Sequence, residues 1–191
     1  MVRQNLKETG QAFDFVEFEQ HYSLLGDTSE LAREVVRPNA VAIFWYEPPD
    51  YEIVKGMARG TGWTVASDPA IWVHGERANA SSYHTAYKPF LVGTASKEPV
   101  WKHASIRGNV FYHPNYGNTR PTRPLMKSIL QCFAKRRVLI PNATRGSTVL
   151  ACLDLGFIPT AWGGQKVRDE VEKEWGMTLA RMDQAAQKAK V

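Results

Sequence analysis

The stretch Val138-Leu139-Ile140-Pro141-Asn142-Ala143-Thr144-Arg145-Gly146-Ser147-Thr148 decides the fold expected for this chain. It begins with three apolar residues, passes through a turn, and continues into a segment opened by Ser147 and Thr148, residue types that favour the start of a helix. We predict a buried strand over 138–140 and a helix over 147–155. A buried strand followed at once by a turn and a helix is typical of α/β proteins.

The alternation of strands and helices continues on both sides of this stretch. Unbroken apolar runs predict strands buried on both faces, and apolar residues spaced by three or four predict helices. The predicted strands lie at 41–45, 63–73, 90–93, 138–140 and 160–162, and the predicted helices at 13–37, 51–60, 124–133, 147–155 and 166–191. The order predicts an α/β fold with a mostly parallel sheet flanked by helices.

The length of 191 residues fits one domain. We expect an N-terminal arm over 1–12, an α/β domain over 13–165, and a helical tail over 166–191 packed on the domain or on a partner. No apolar run is long enough to span a membrane, and the first residues lack the apolar run of a secretory signal. These features predict a cytoplasmic protein.

Charge is distributed unevenly along the chain. Residues 1–52 carry a net charge of −6, residues 53–165 carry +10, and residues 166–191 carry +1. A strongly basic block is the electrostatic footprint of a protein that binds phosphates or an acidic partner. The alternative is a solvated surface that pairs with the acidic N-terminal part of the same molecule.

The long stretch 97–124 combines aromatic with basic residues. Aromatic rings can stack on bases while cations contact phosphates, so the stretch predicts nucleic-acid contact. The alternative is a loop held on the core by its aromatic rings. Together with the nearby turn, the candidate nucleic-acid-binding residues are Trp101, Lys102, Arg107, Tyr112, Tyr116, Arg120, Arg123 and Arg145.

Metal and disulfide chemistry have little support in the sequence. The histidines of the loops show no regular ligand spacing, so no metal site is expected. Cys132 and Cys152 lie on predicted apolar helix faces, where cysteine behaves as a small buried hydrophobic residue.

The glycine turn resembles the cofactor motif of the DNA amino-methyltransferases, which methylate adenine N6 or cytosine N4. Gly146, Ser147 and Thr148 keep the family pattern VLDPFxGSGST. In that family the turn holds S-adenosylmethionine against backbone N–H groups at a helix N-terminus. The resemblance implies a Rossmann-like methyltransferase-type sheet, with Gly146, Ser147, Thr148 and, after the next strand, Gln165 as cofactor-binding residues.

Other segments resemble the permuted class of that family, in which the catalytic half precedes the cofactor half. Ile71–His74 and Tyr87–Gly93 resemble two of its strands, and Arg120-Pro121 or Arg123-Pro124 resembles its Lys-Pro element. The resemblance covers roughly residues 35–165.

The cofactor region departs from the family pattern at several places, among them Asn142 in place of a phenylalanine and Arg145 before the second glycine. Ile140 stands where the family has the acid that ends the cofactor strand, and Thr144 stands where it has the first turn glycine. A side chain at Thr144 crowds a turn that needs close approach. Gln165 stands near the acid that binds the ribose hydroxyls, and an amide is a weaker partner than a carboxylate.

The catalytic motif of the family, Asp/Asn/Ser-Pro-Pro-aromatic, has one counterpart, Glu47-Pro48-Pro49-Asp50 with Tyr51 after it. In the family this motif holds the target amino group and stacks on the flipped base. Here the acid is longer and a carboxylate stands where the ring belongs. Val41–Trp45 aligns better with the strand after the catalytic one, which would leave the motif missing. We therefore favour a rigid Pro-Pro turn, with Glu47, Pro48, Pro49 and Tyr51 as vestigial catalytic residues.

These departures together predict a methyltransferase-like protein that has lost catalysis. The expected role is a nucleic-acid-binding or partner-binding scaffold or structural subunit, in bacteria or as a component of a phage particle, with S-adenosylmethionine not bound. Nucleic acid is the first expected partner and another protein or self-assembly the second; a membrane is not expected. The alternative is an active S-adenosylmethionine-dependent DNA adenine-N6 or cytosine-N4 methyltransferase with a divergent site.

Overall fold

The computed structural model describes residues 12–19, 22–74, 87–97, 109–114 and 120–188. Within these ranges eight strands form one sheet. The strands are β1 (Phe13–Phe18), β2 (Val36–Trp45), β3 (Thr64–Val65), β4 (Ala70–Val73), β5 (Tyr87–Thr94), β6 (Val110–Tyr112), β7 (Arg137–Ala143) and β8 (Ile158–Gly163). Their order in the sheet is β6-β4-β5-β2-β1-β7-β8, and β3 pairs with β5 beside this path.

Helices cover both faces of the sheet. They are α1 (Tyr22–Val35), α2 (Tyr51–Gly60), α3 (Arg123–Phe133), α4 (Ser147–Asp154) and α5 (Gln165–Lys188). Successive residues of a strand point to opposite faces. In β2, Val41 and Ile43 therefore join the apolar cluster beneath α3 and α4, whereas Ala42 and Phe44 join the cluster beneath α1 and α2. The predicted α/β architecture is confirmed.

The sheet is mixed, with more parallel than antiparallel pairs among the described strands. β1 runs parallel to β2 and β7, β7 to β8, and β4 to β6. β5 runs antiparallel to β2, β3 and β4. The expected mostly parallel, helix-flanked sheet is thus present, and its parallel core consists of β2, β1, β7 and β8.

Residues 13–18 form a strand, so the helix predicted over 13–37 is wrong in its first part. β1 lies at the centre of the sheet between two parallel neighbours, and all six of its side chains are buried. A strand buried on both faces carries apolar residues without strict alternation. The spacing of Phe15 and Phe18 therefore fits a helix and such a strand equally well, and the helix begins at Tyr22.

Part of the predicted irregular stretch 97–124 is also a strand. β6 pairs in parallel with β4 and turns Phe111 inward, while Val110 and Tyr112 are exposed. Four of the predicted nucleic-acid-binding residues, Trp101, Lys102, Arg107 and Tyr116, lie outside the described residues, and so does the predicted N-terminal arm up to residue 11.

The C-terminal helix α5 packs against the glycine turn at its first turns. Val167 belongs to the apolar cluster beneath α3 and α4. A Cβ atom built on Gly146 would lie 2.7 Å from Cγ2 of Val171, closer than carbon atoms approach one another. A side chain at 146 would therefore require Val171 to move. None of the described helices is both long and apolar enough to cross a membrane.

Candidate functional site

β1 and β7 lie side by side, and the chain leaves them in opposite directions. β2 follows β1 on one side, and β8 follows β7 on the other. Because all four strands are parallel, their carboxyl ends meet at one edge of the sheet. In open α/β sheets, ligands bind in the crevice outside the carboxyl ends of the strands at such a switch point. The segments that begin at Glu19 and Thr144 border this place.

A cleft of about 240 Å³ opens at this edge, and we call it the switch-point cleft. Its lining comes from the ends of β1, β2 and β7, the start of β5, and the segments that precede α3 and α4. The lining residues are Glu19, Trp45, Lys88, Arg120, Pro121, Thr144, Arg145 and Ser147. Three of these side chains are cationic and one is a carboxylate, so the cleft favours an anionic ligand.

Glu19 binds the first residue of the glycine turn. Its Oε2 accepts a hydrogen bond from the backbone N–H of Thr144 at 2.8 Å and another from the Thr144 hydroxyl. Burial raises the pKa of Glu19, while the two bonds from Thr144 and the charges of Arg120 and Lys88 oppose that rise. The threonine that replaces the family's glycine therefore has a role in this chain, because its hydroxyl ties β1 to the turn.

Glu17 lies two residues earlier on the same face of β1 and is fully buried. The indole N–H of Trp45 donates to its Oε1 at 2.9 Å. Burial, followed by the nearby charge of Glu19, raises the pKa of Glu17 to about 8, although hydrogen bonding from Thr148 and Trp45 lowers it. At neutral pH this carboxyl group is therefore mostly protonated.

The predicted catalytic segment lies at the end of β2. Pro48 and Pro49 form a single 3-10 turn that leads into α2, and neither is buried. The Tyr51 hydroxyl donates to the backbone carbonyl of Ser67. Glu47 lies 3.4 Å from Nζ of Lys88, a cation that lines the switch-point cleft. Of these four residues, Glu47 is thus joined to the cleft through an ion pair.

The predicted cofactor-binding residues have different surroundings. Ser147 lines the cleft, whereas Thr148 is fully buried and acts on Glu17. Gly146 contacts α5, as described above. Gln165 is exposed at the start of α5, where its amide donates to Oδ1 of Asp169 at 2.7 Å.

The predicted nucleic-acid-binding residues are also divided. Arg120 and Arg145 both line the cleft. Tyr112 is 65% exposed on the edge strand β6. Arg123 forms an ion pair with Asp154, with its Nε donating to Oδ2 at 2.8 Å, and this pair joins the start of α3 to the end of α4. The same pair raises the pKa of Arg123 and lowers that of Asp154.

Sequence reasoning missed four residues of the site, namely Glu17, Glu19, Trp45 and Lys88. Acidic residues at alternate positions in the apolar segment 13–19 were the available signal, because a buried strand accepts carboxyl groups only with special partners. Lys88 and Trp45 come from β5 and β2 and reach the cleft only through the fold. Among the described residues, no group of three or more His, Cys, Asp or Glu side chains could hold a metal ion.

No protein-family model matches this chain, and a search of the curated proteins found no match. Solved structures, however, are similar over most of its length. The complex of M1.HpyAVI with SAM is 17% identical, with a TM-score of 0.71 over 91% of this chain and 94% of its own. TTHA0409 of Thermus thermophilus, complexed with S-adenosyl-L-methionine, is 13% identical, with a TM-score of 0.65 over 92% and 90%.

The cytosine-N4-specific PvuII DNA methyltransferase is 8% identical, with a TM-score of 0.63 over 81% of this chain and 76% of its own. At such identities the similarity concerns the fold. The chain has the fold of the DNA amino-methyltransferases.

Proposed function

We propose that this protein binds nucleic acid at the switch-point cleft and does not transfer methyl groups. The observation that carries the proposal is the meeting of Lys88, Arg120 and Arg145 around one cleft at the carboxyl ends of the parallel strands. These residues come from widely separated parts of the chain. Cations that gather in a concave site attract phosphate groups, which provide most of the affinity of proteins for nucleic acids.

The residues around the turn do not fit S-adenosylmethionine as the resemblance would require. The backbone N–H of Thr144, at the start of the turn, is bound by Glu19 from within the chain. The Gln165 amide is bound to Asp169, and Ile140 supplies no acid at the end of β7. Because these groups are already bound within the chain, the contacts support our proposal that the protein keeps the fold but does not bind S-adenosylmethionine.

The base-holding motif is also missing from the strand beside β7. The segment after β1 reads Glu19-Gln20-His21-Tyr22, without the Pro-Pro pair of the family. The Pro-Pro pair that the chain does contain follows β2, in an exposed turn. No observation on the described residues favours a scaffold or phage-particle role over nucleic-acid binding, so we propose nucleic-acid binding alone.

The proposal predicts salt-dependent binding that requires the cleft arginines. Binding to single-stranded and duplex DNA can be measured by fluorescence anisotropy between about 50 and 200 mM salt. For the wild type, the logarithm of the association constant should fall linearly with the logarithm of the salt concentration. The Arg120→Ala and Arg145→Ala variants should each lower the slope by about one and weaken binding about ten-fold. Arg59→Ala, which removes an exposed cation of α2, is the matched control and should behave as the wild type.

Two results would contradict the proposal. Equal salt slopes in the cleft variants and in Arg59→Ala would place the nucleic acid elsewhere. Micromolar binding of S-adenosylmethionine in isothermal titration calorimetry would show that the cofactor site is intact, and would favour an active methyltransferase with a divergent site.

A further inference from the structure

Glu17 is placed beneath the switch-point cleft and is closed off from solvent. It lies on the same face of β1 as Glu19, and its Oε1 is bound by the indole of Trp45, a residue that lines the cleft. The carboxyl group is therefore one side chain away from the lining, and its charge acts on whatever the cleft holds.

Two buried polar atoms at this point lack a hydrogen bond of normal geometry within the described part of the chain. They are Oε2 of Glu17 and the hydroxyl oxygen of Thr148, in the first turn of α4. Thr148 is nevertheless close enough to act on the Glu17 carboxyl group. Because an unsatisfied buried polar atom costs about 1–3 kcal/mol, the two atoms are expected to satisfy each other through a proton that lies between them.

The electrostatic surroundings decide whether the Glu17 carboxyl group also carries a proton of its own. The charged group that acts on Glu17 is Glu19, and it is negative. On the side of α4, Glu17 faces Thr148 and the thiol of Cys152, whose pKa is raised by burial and by the nearby acids Glu17 and Asp14. On the side of β2 it faces the neutral indole of Trp45. Among the described residues, no cation is among the groups that shift the pKa of Glu17, so its ionised form would be a buried charge opposed by a second acid.

We infer that Glu17 is a positioning residue, whose carboxyl group is neutral at neutral pH and pairs with the Thr148 hydroxyl, fixing the start of α4 beside the cleft and keeping a second negative charge away from its cations. The inference rests on the proposed function for its effect on nucleic-acid binding. The proton itself is a property of the folded chain and can be measured without any ligand.

The described histidines near the sheet, His74 and His113, should not titrate in the pH range in which Glu17 loses its proton. Burial lowers the pKa of both His74 and His113, which moves their titration away from the range in which Glu17 ionises. The raised pKa of Glu17, about 8, places its ionisation above that of both histidines. Because Glu19 also has a raised pKa, the part of any change in binding between about pH 7 and about pH 9 that is lost in Glu17→Gln is the part that reports on Glu17.

The test combines two measurements on the full chain. Carbon-13 NMR of glutamate-labelled protein should show one carboxyl signal that titrates near pH 8 and is missing from Glu17→Gln. Anisotropy with DNA should show wild-type affinity falling about ten-fold as Glu17 ionises, because one negative charge is added near the phosphates. Glu17→Gln keeps both hydrogen bonds without ionising, and should bind equally well at both ends of the range.

Glu47→Gln is the matched control, since it removes a carboxylate paired with Lys88 at the cleft and should keep the wild-type pH dependence. Equal pH dependence in Glu17→Gln and the wild type would overturn the positioning role, and so would the absence of a titrating signal that depends on Glu17. If the signal is present but no variant binds DNA at any pH, the proposed function fails while the proton on Glu17 stands.

Discussion

The two ends of β1 each bury a carboxyl group, and they give it different partners. Asp14, near the amino end, accepts hydrogen bonds from the backbone N–H groups of Lys135, Arg136 and Arg137 at 2.9, 3.0 and 2.9 Å. Glu17, near the carboxyl end, accepts one bond of normal geometry, from an indole. Three donors compensate the buried charge of a carboxylate, whereas one donor beside a second acid does not.

The comparison shows that the role of a buried acid in this sheet depends on the end of the strand at which it lies. Asp14 ties the central strand to the segment that enters β7, far from the edge where ligands bind in this type of sheet. Glu17 and Glu19 lie at that edge. Asp14 therefore stabilises the fold, whereas Glu17 and Glu19 determine how much negative charge lies at the site.

The largest effect should come from Asp14→Ala. It leaves the backbone N–H groups of Lys135, Arg136 and Arg137 without their charged acceptor, and we expect the free energy of unfolding to fall by about 2–3 kcal/mol in urea denaturation. An exposed acid of α1 provides the control, because Asp27→Ala should change stability by less than about 0.5 kcal/mol. Similar losses in the two variants would remove the structural role assigned to Asp14.

The next effect is a pH dependence of stability that arises from Glu17. Its pKa in the folded chain, about 8, lies above the ordinary value of 4.5, so the folded state holds a proton that the unfolded state releases between these values. The free energy of unfolding should therefore fall as pH rises, by up to about 1.4 kcal/mol per pH unit, and level off above pH 8. Glu17→Gln should flatten this dependence. Parallel curves for the two proteins would show that Glu17 is ionised throughout.

The smallest effect on stability is expected for Glu19→Gln. The amide oxygen still accepts from the Thr144 backbone, so the free energy of unfolding should change by less than about 1 kcal/mol. DNA affinity should rise several-fold, since a negative charge leaves a cleft that contains three cations. Thr144→Val, which removes the hydroxyl bond and keeps every charge, is the matched variant and should not tighten binding. Equal affinity in Glu19→Gln and the wild type would indicate that DNA does not enter the cleft.

The sequence alone predicted the fold well where a local pattern determined it. The apolar runs at β2, β5 and β7 and the start of α4 at Ser147 were found because a buried strand and a helix N-terminus each leave a signal within about ten residues. β1 was missed because a strand that is buried on both faces has apolar residues at every spacing, including the three-residue spacing typical of a helix. The cleft was missed because Glu19, Lys88 and Arg120 meet only through the crossing of the chain at the switch point. The assignments of catalytic, cofactor-binding and nucleic-acid-binding residues remain predictions.

The contact between Gly146 and Val171 has a mechanical consequence. The turn that borders the cleft has no space for even one methyl group on the side of α5. A shift of the turn toward α5 would therefore press on Val171, because close-packed interiors transmit strain rather than absorb it. The start of α5 in this way limits how far the turn can retreat from the cleft on that side.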